Sequence, residues 1–142
     1  MKTNKFISKY NYSIELPKNW SEFQLDESEK NTNGFFNASE WTGNLRITPL
    51  SFDKSRLSAF FKEKLMKNDA KKIDWNNIIG ISYFEQSDDV YSYYWYLIEN
   101  QKLYFCSFTI DFEMKDTKKN KIEIKRIIKI LQSLETTNRK KD

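Results

Sequence analysis

Asp111 and Glu113 stand two residues apart in a run, residues 103–114, that is rich in aromatic and β-branched side chains. On a strand, residues i and i+2 share a face, so the two carboxylates would sit side by side. Such a pair can divide acid and base work, as in glycoside hydrolysis, and Glu85 and Glu99 are further candidates. The competing reading is an amphipathic strand. In it Phe108, Ile110, Phe112 and Met114 face the core, and Thr109, Asp111 and Glu113 face water.

Other chemistry has little to work with. The chain contains no His, which removes the commonest general base and a frequent metal ligand. Its single cysteine, Cys106, allows neither an intrachain disulfide nor a thiolate cluster. Cys106 alternates with Tyr104 and Phe108, as an inert core thiol would. Asp88, Asp89 and Asp111 could offer oxygen ligands, but no calcium-type loop frames them. Gly34, Gly43 and Gly80 are isolated, so no glycine-rich phosphate loop is present. The expectation is a protein that is not an enzyme and needs no cofactor or metal.

Aromatic side chains carry more information. The 142 residues include 4 Trp, 8 Tyr and 11 Phe. In residues 91–98, Tyr91, Tyr93, Trp95 and Leu97 fall on one face of a strand and Tyr94, Tyr96 and Ile98 on the other. One face must pack under helices; the second is covered by other chain segments or forms a binding surface. Trp41 stands at a hairpin tip, where there is little core to join. Trp41, Tyr91, Tyr93 and Trp95 are therefore the candidate partner-binding residues, because Tyr and Trp are enriched in interface hot spots. Trp75, between Asp74 and Asn76, is a weaker case.

The formal net charge is +4, from 24 basic and 20 acidic residues. Residues 115–142 hold ten basic and four acidic residues, a local net of +6, so the remainder is −2. A solvated helix face explains this run; a polybasic contact with nucleic acid or an acidic partner is the alternative. The overall excess is small for a dedicated nucleic-acid binder. No apolar stretch reaches the length of a signal peptide or membrane span, and a cytoplasmic location is the default expectation.

These residues need elements to position them. Alternating runs predict strands over residues 10–16, 20–25, 35–41 and 45–50, the last two joined by Thr42-Gly43-Asn44. Leu57, Phe60, Phe61 and Leu65 predict a helix over 55–68, with Asp53 or Ser55 as its cap. Three β-rich runs, 78–86, 91–98 and 103–114, read as an antiparallel meander. Ile124, Ile127, Ile128, Leu131 and Leu134 form the apolar stripe of a final helix, capped by Asn120 with Glu123. The order predicts one α+β domain over residues 1–142, ordered from about 8 to 135. Its mostly antiparallel sheet of about six strands carries two amphipathic helices.

The opening Tyr10-x-Tyr12-x-Ile14-x-Leu16-Pro17-x-x-Trp20 resembles the strand, leucine-proline, tryptophan start of the PsbP/DcrB-like superfamily. The element order over residues 8–135 is similar to that superfamily's plan. Its members include photosystem accessory proteins, bacterial lipoproteins, small bacterial domains without assigned function, and type VI secretion effector chaperones. The resemblance implies a bacterial binding scaffold without a shared catalytic motif, and structural roles for Leu16, Pro17 and Trp20. It also makes secretion-linked work, as an effector chaperone or an immunity protein, one form the binding could take. The lipoproteins' lipid-attachment cysteine is absent here, and the closing helix is more basic than the pattern suggests. The leading expectation is a domain that binds another protein. A small-molecule or hydrolytic domain using Asp111 and Glu113, and nucleic-acid binding by the basic final helix, are the alternatives.

Overall fold

The computed structural model describes residues 3–67 and 70–137. The basic residues Arg139, Lys140 and Lys141 lie outside that range, as does Asp69. Among these residues, alternating side chains build ten strands in two antiparallel sheets, with two α-helices, so the fold is α+β.

A small sheet pairs β1 (Thr3–Ile7), β2 (Tyr12–Pro17) and β10 (Glu135–Thr136), with β2 in the middle. The large sheet contains β3 (Trp20–Phe23), β4 (Asn33–Asn37), β5 (Asn44–Leu50), β6 (Lys71–Asp74), β7 (Ile78–Ser87), β8 (Val90–Glu99) and β9 (Lys102–Asp111). Its order is β3-β4-β5-β9-β8-β7-β6. The expected meander is present, β7 to β8 to β9, and β9 closes onto β5 through seven paired residues, from Asn44↔Thr109 to Leu50↔Leu103. The architecture corrects the expectation of one sheet of about six strands. β1, β6 and β10 are additional strands, and β1 occupies residues expected to be loose. Lysines and short lengths hide their period: β1 is exposed at all positions but Phe6, and β10 spans only two residues.

Register sets the faces. Ile47, Cys106 and Trp95 stand in line across β5, β9 and β8, as do Leu45, Phe108 and Tyr93. These side chains, with Leu97 and Tyr104, meet Tyr12, Ile14 and Leu16 of β2 and the apolar stripe of α2 (Lys118–Gln132) in one core. Ile127, Ile130 and Leu131 of that stripe are buried. Tyr12 meets Tyr104 edge to face at 5.6 Å, and Phe6 meets Phe35 at 5.0 Å.

The opposite face of the large sheet carries α1 (Lys54–Lys64), capped by Asp53, whose side chain accepts the Ser55 N–H. α1 has no fully buried residue; its Phe60 ring stands edge-on to Tyr96 at 4.9 Å. The helix is shorter than the expected 55–68, and it lies on the sheet by a few rings instead of filling a core. Gly80 fixes how closely β7 and β8 approach: a Cβ there would stand 2.0 Å from the Tyr96 carbonyl oxygen.

α2 starts earlier than expected. Thr117 is its cap, accepting the Asn120 N–H at 3.1 Å. This corrects the pairing of Asn120 with Glu123. Asn120 donates to the Tyr93 hydroxyl at 2.9 Å, and Glu123 points into a buried polar site.

Candidate functional site

β4 ends at Asn37, and the chain then turns through Ala38, Ser39 and Glu40 to Trp41. The Asn37 side-chain oxygen accepts the N–H groups of Ser39 (3.0 Å) and Glu40 (3.2 Å), and its carbonyl accepts the Trp41 N–H at 2.8 Å. Asparagine suits this position because its short amide mimics a backbone turn. A second clamp comes from the β2–β3 turn. Asn19 donates to the Asn37 side chain at 2.9 Å and accepts the Ala38 N–H at 2.8 Å.

Beneath the turn lies Glu123 of α2, with none of its surface exposed. Its carboxylate accepts from Asn37 Nδ2 at 3.0 Å, from the Thr42 hydroxyl through a short hydrogen bond, and from Arg126 at 2.9 Å. A buried carboxylate persists only with a compensating cation and filled lone pairs, and Arg126 with the two neutral donors supplies both. Glu123 thus ties the ends of the turn, Asn37 and Thr42, to the helix.

Trp41 is 75% exposed and adopts a left-handed backbone, φ 51°. A left-handed conformation costs an L-residue about 1–2 kcal/mol, and a bulky side chain rarely accepts it. Its indole leans on Phe36, centroids 4.7 Å apart, and Phe36 meets Phe23 edge-on at 6.0 Å. Phe23, Phe36, Trp41, Gly43 and Asn44 line a shallow apolar cleft of about 350 Å³. Arg46 lies over the Phe23 ring at 5.5 Å and pairs with Glu29 at 2.6 Å. The result is an apolar centre with a polar rim, the anatomy of a protein interface.

The other candidates fall elsewhere. Tyr91 and Trp95 are buried in the core, and Tyr93 is half-buried beneath α2. Burial raises the Tyr93 phenol above its ordinary range, opposed by the Asn120 hydrogen bond and by Lys115. These three rings therefore do not present an open binding face, which corrects their assignment as partner-binding residues on an aromatic sheet face. The face that α2 leaves bare is the other one, with Tyr94 against Phe105 at 5.6 Å and Tyr96 against Phe105 at 4.8 Å. Trp75 is half-buried and packs against the core.

Asp111 closes β9, and Glu113 follows in a short 3₁₀ turn, Phe112–Met114. Both carboxylates are exposed, and the strand period that would align them stops at Asp111. Phe112, expected to face the core, is 38% exposed. Cys106 is fully buried, and burial pushes its thiol far up. Among the described residues no three Cys, Asp or Glu side chains converge as a metal ion would require.

Residues 1–142 match the family described as "Domain of unknown function (DUF3805)" along their whole length. The chain belongs to this family. The DUF3805 chain is also similar to a crystal structure from Bacteroides thetaiotaomicron VPI-5482, determined at 1.50 Å resolution. That likeness has a TM-score of 0.71 at 25% identity and covers 96% of this chain but 49% of the other. The DUF3805 chain therefore spans about half the length of that protein. The solution structure of cyanobacterial PsbP (CyanoP) from Synechocystis sp. PCC 6803 superposes more loosely, with a TM-score of 0.45 and 11% identity over 94% of this chain and 92% of the other. No curated protein matches the sequence.

Proposed function

We propose that this DUF3805 domain is a non-catalytic protein-interaction module that docks another protein on the Trp41 turn. The observation that carries the reading is the large indole held exposed in a left-handed conformation by a fully buried Glu123–Asn37–Thr42 network. Strain retained at an exposed residue and braced from below points to function. An aromatic anchor beside an apolar cleft with a polar rim is what a partner's apolar side chain would fill. The motif from Tyr10 to Trp20 supports a PsbP/DcrB-like scaffold for this role, acting in a bacterial cytoplasm, and an effector chaperone or immunity protein are forms it could take.

Affinity capture from the native lysate, with Trp41→Gly as control, tests the reading. A stoichiometric protein captured by the native chain and lost with the folded variant is the expected result. Equal capture by both chains would remove the turn from the interface.

A further inference from the structure

A second cleft lies at the opposite end of β5, beside the N-terminus of α1. Its volume is about 540 Å³, and Lys9, Asn11, Asn31, Lys54, Gln101 and Lys102 are among its lining residues. Among the described residues no Asp or Glu lines it. Among the described residues Lys9, Lys54 and Lys102 make no ion pair. Three lysines lining one cleft with no opposing acid among its lining residues favour a counter-anion. Asp53, next to Lys54, is engaged with the N–H and hydroxyl of Ser55, at 3.0 and 2.8 Å. The adjoining cleft, which shares Lys9 and Asn31, holds Glu22, Asp26 and Glu29, engaged with Asn33, the Ser28 N–H and Arg46 respectively, and also Glu27. The start of α1 at Lys54 adds the positive end of a helix dipole.

The backbone supplies an independent observation. Three lining residues from three separate turns are left-handed: Asn11 at φ 72°, Asn31 at φ 57° and Gln101 at φ 65°. Asparagine tolerates that conformation. Gln101 is less expected, because it is the second central residue of the two-residue β8–β9 turn after Asn100, also left-handed at φ 51°. Turns of this kind strongly favour glycine there. The glutamine places an amide against Lys54, whose Nζ donates to its Oε1 at 3.4 Å. Strain is thus kept where it adds a polar side chain to the cleft.

We infer that this cleft binds a phosphorylated small molecule. Three unpaired cations suit a dianionic phosphoryl group better than a single carboxylate. The volume falls within the range of small-molecule sites, about 300–1,000 Å³, and leaves room for more than a phosphate. Asn11, Asn31 and Gln101 offer amides to the remainder of the ligand. The inference is independent of the Trp41 surface.

The test is amide chemical-shift titration of the full chain with inorganic phosphate and with ribose 5-phosphate, at constant ionic strength held with sodium chloride. Saturable shifts are expected at residues 9–11, 31, 51–54 and 100–102, with ribose 5-phosphate binding more tightly. Lys54→Gln with Lys102→Gln should weaken binding roughly tenfold, about 1.4 kcal/mol. Lys118→Gln with Lys119→Gln, exposed on α2, should leave binding unchanged. Absent shifts, shifts spread equally over the α2 lysines, or an unaffected cleft variant would overturn the site. Equal affinity for the two probes would overturn its assignment to a phosphorylated small molecule.

Discussion

Glu123 shows how one side chain can position an exposed one. Glu123→Ala removes the acceptor for Asn37, Thr42 and Arg126 together. Arg126 is partly exposed and stays near Glu40, so the main cost is two buried donors left without an acceptor, about 1–3 kcal/mol each, and urea unfolding should register a loss of about 2–5 kcal/mol. Amide exchange over residues 38–42 should quicken as well. A loss below about 1 kcal/mol, the range of exposed ion pairs, would mean that the turn does not depend on Glu123. Trp41→Gly acts in the opposite sense. It loses an indole–ring contact worth about 0.5–1.5 kcal/mol and relieves left-handed strain of about 1–2 kcal/mol. Its stability should therefore stay near the native value, which makes it a clean probe of binding.

Tyrosine burial sets the alkaline limit. Burial pushes the Tyr104 phenol up to about 12, opposed by its hydrogen bond with Thr136 and assisted by Glu99 and Cys106. Burial also raises Tyr12 and Tyr83. A raised folded-state pKa stabilises fully below the unfolded value, near 10, and that stability is lost as pH rises through the folded value. Stability should accordingly fall between about pH 10 and 12. Late tyrosinate absorbance should appear together with loss of near-ultraviolet dichroism. Reversible ionisation of all tyrosines near pH 10 with the fold intact would contradict this burial.

Among the elements, the two helices should differ in stability. α2 buries Ile127, Ile130 and Leu131 in the core, whereas α1 buries nothing completely. Local opening free energy follows buried contact, so α1 amides should exchange well before those of α2. Equal protection would show that α1 is held by more than Phe60 on Tyr96. Gly80→Ala probes the sheet itself. The added methyl meets backbone 2.0 Å away, and overpacking typically costs about 1–3 kcal/mol.

The contrast between the helices also marks what could be read in the sequence. The α2 stripe is regular enough to locate a core helix, and the ring-rich runs of β7, β8 and β9 locate the meander. With rings on both faces of β8, alternation separates Trp95 from Tyr96 but does not say which face α2 covers. That choice depends on register with β9, a property of pairing and not of either strand alone. Trp41 was legible from its hairpin-tip position. Its neighbours were not: Phe23 and Phe36 read as ordinary strand residues, and Glu123 resembled a helix cap. Only the fold brings residues 23, 36, 41 and 123 together.

At the scale of the whole molecule, the two proposed sites lie at opposite ends of β5. One carries the braced indole, the other the lysine-lined cleft, with a closed core between them. Among the described residues no helix is long and apolar enough to cross a membrane, and neither end requires one.

The most direct test of the central claim is deuterium-exchange mapping of the captured complex, native chain against Trp41→Gly. The account predicts protection centred on Phe23, Phe36 and residues 40–44 in the native complex, and loss of complex formation with the variant at unchanged stability. Protection lying elsewhere, or a variant that binds as well as the native chain, would contradict it.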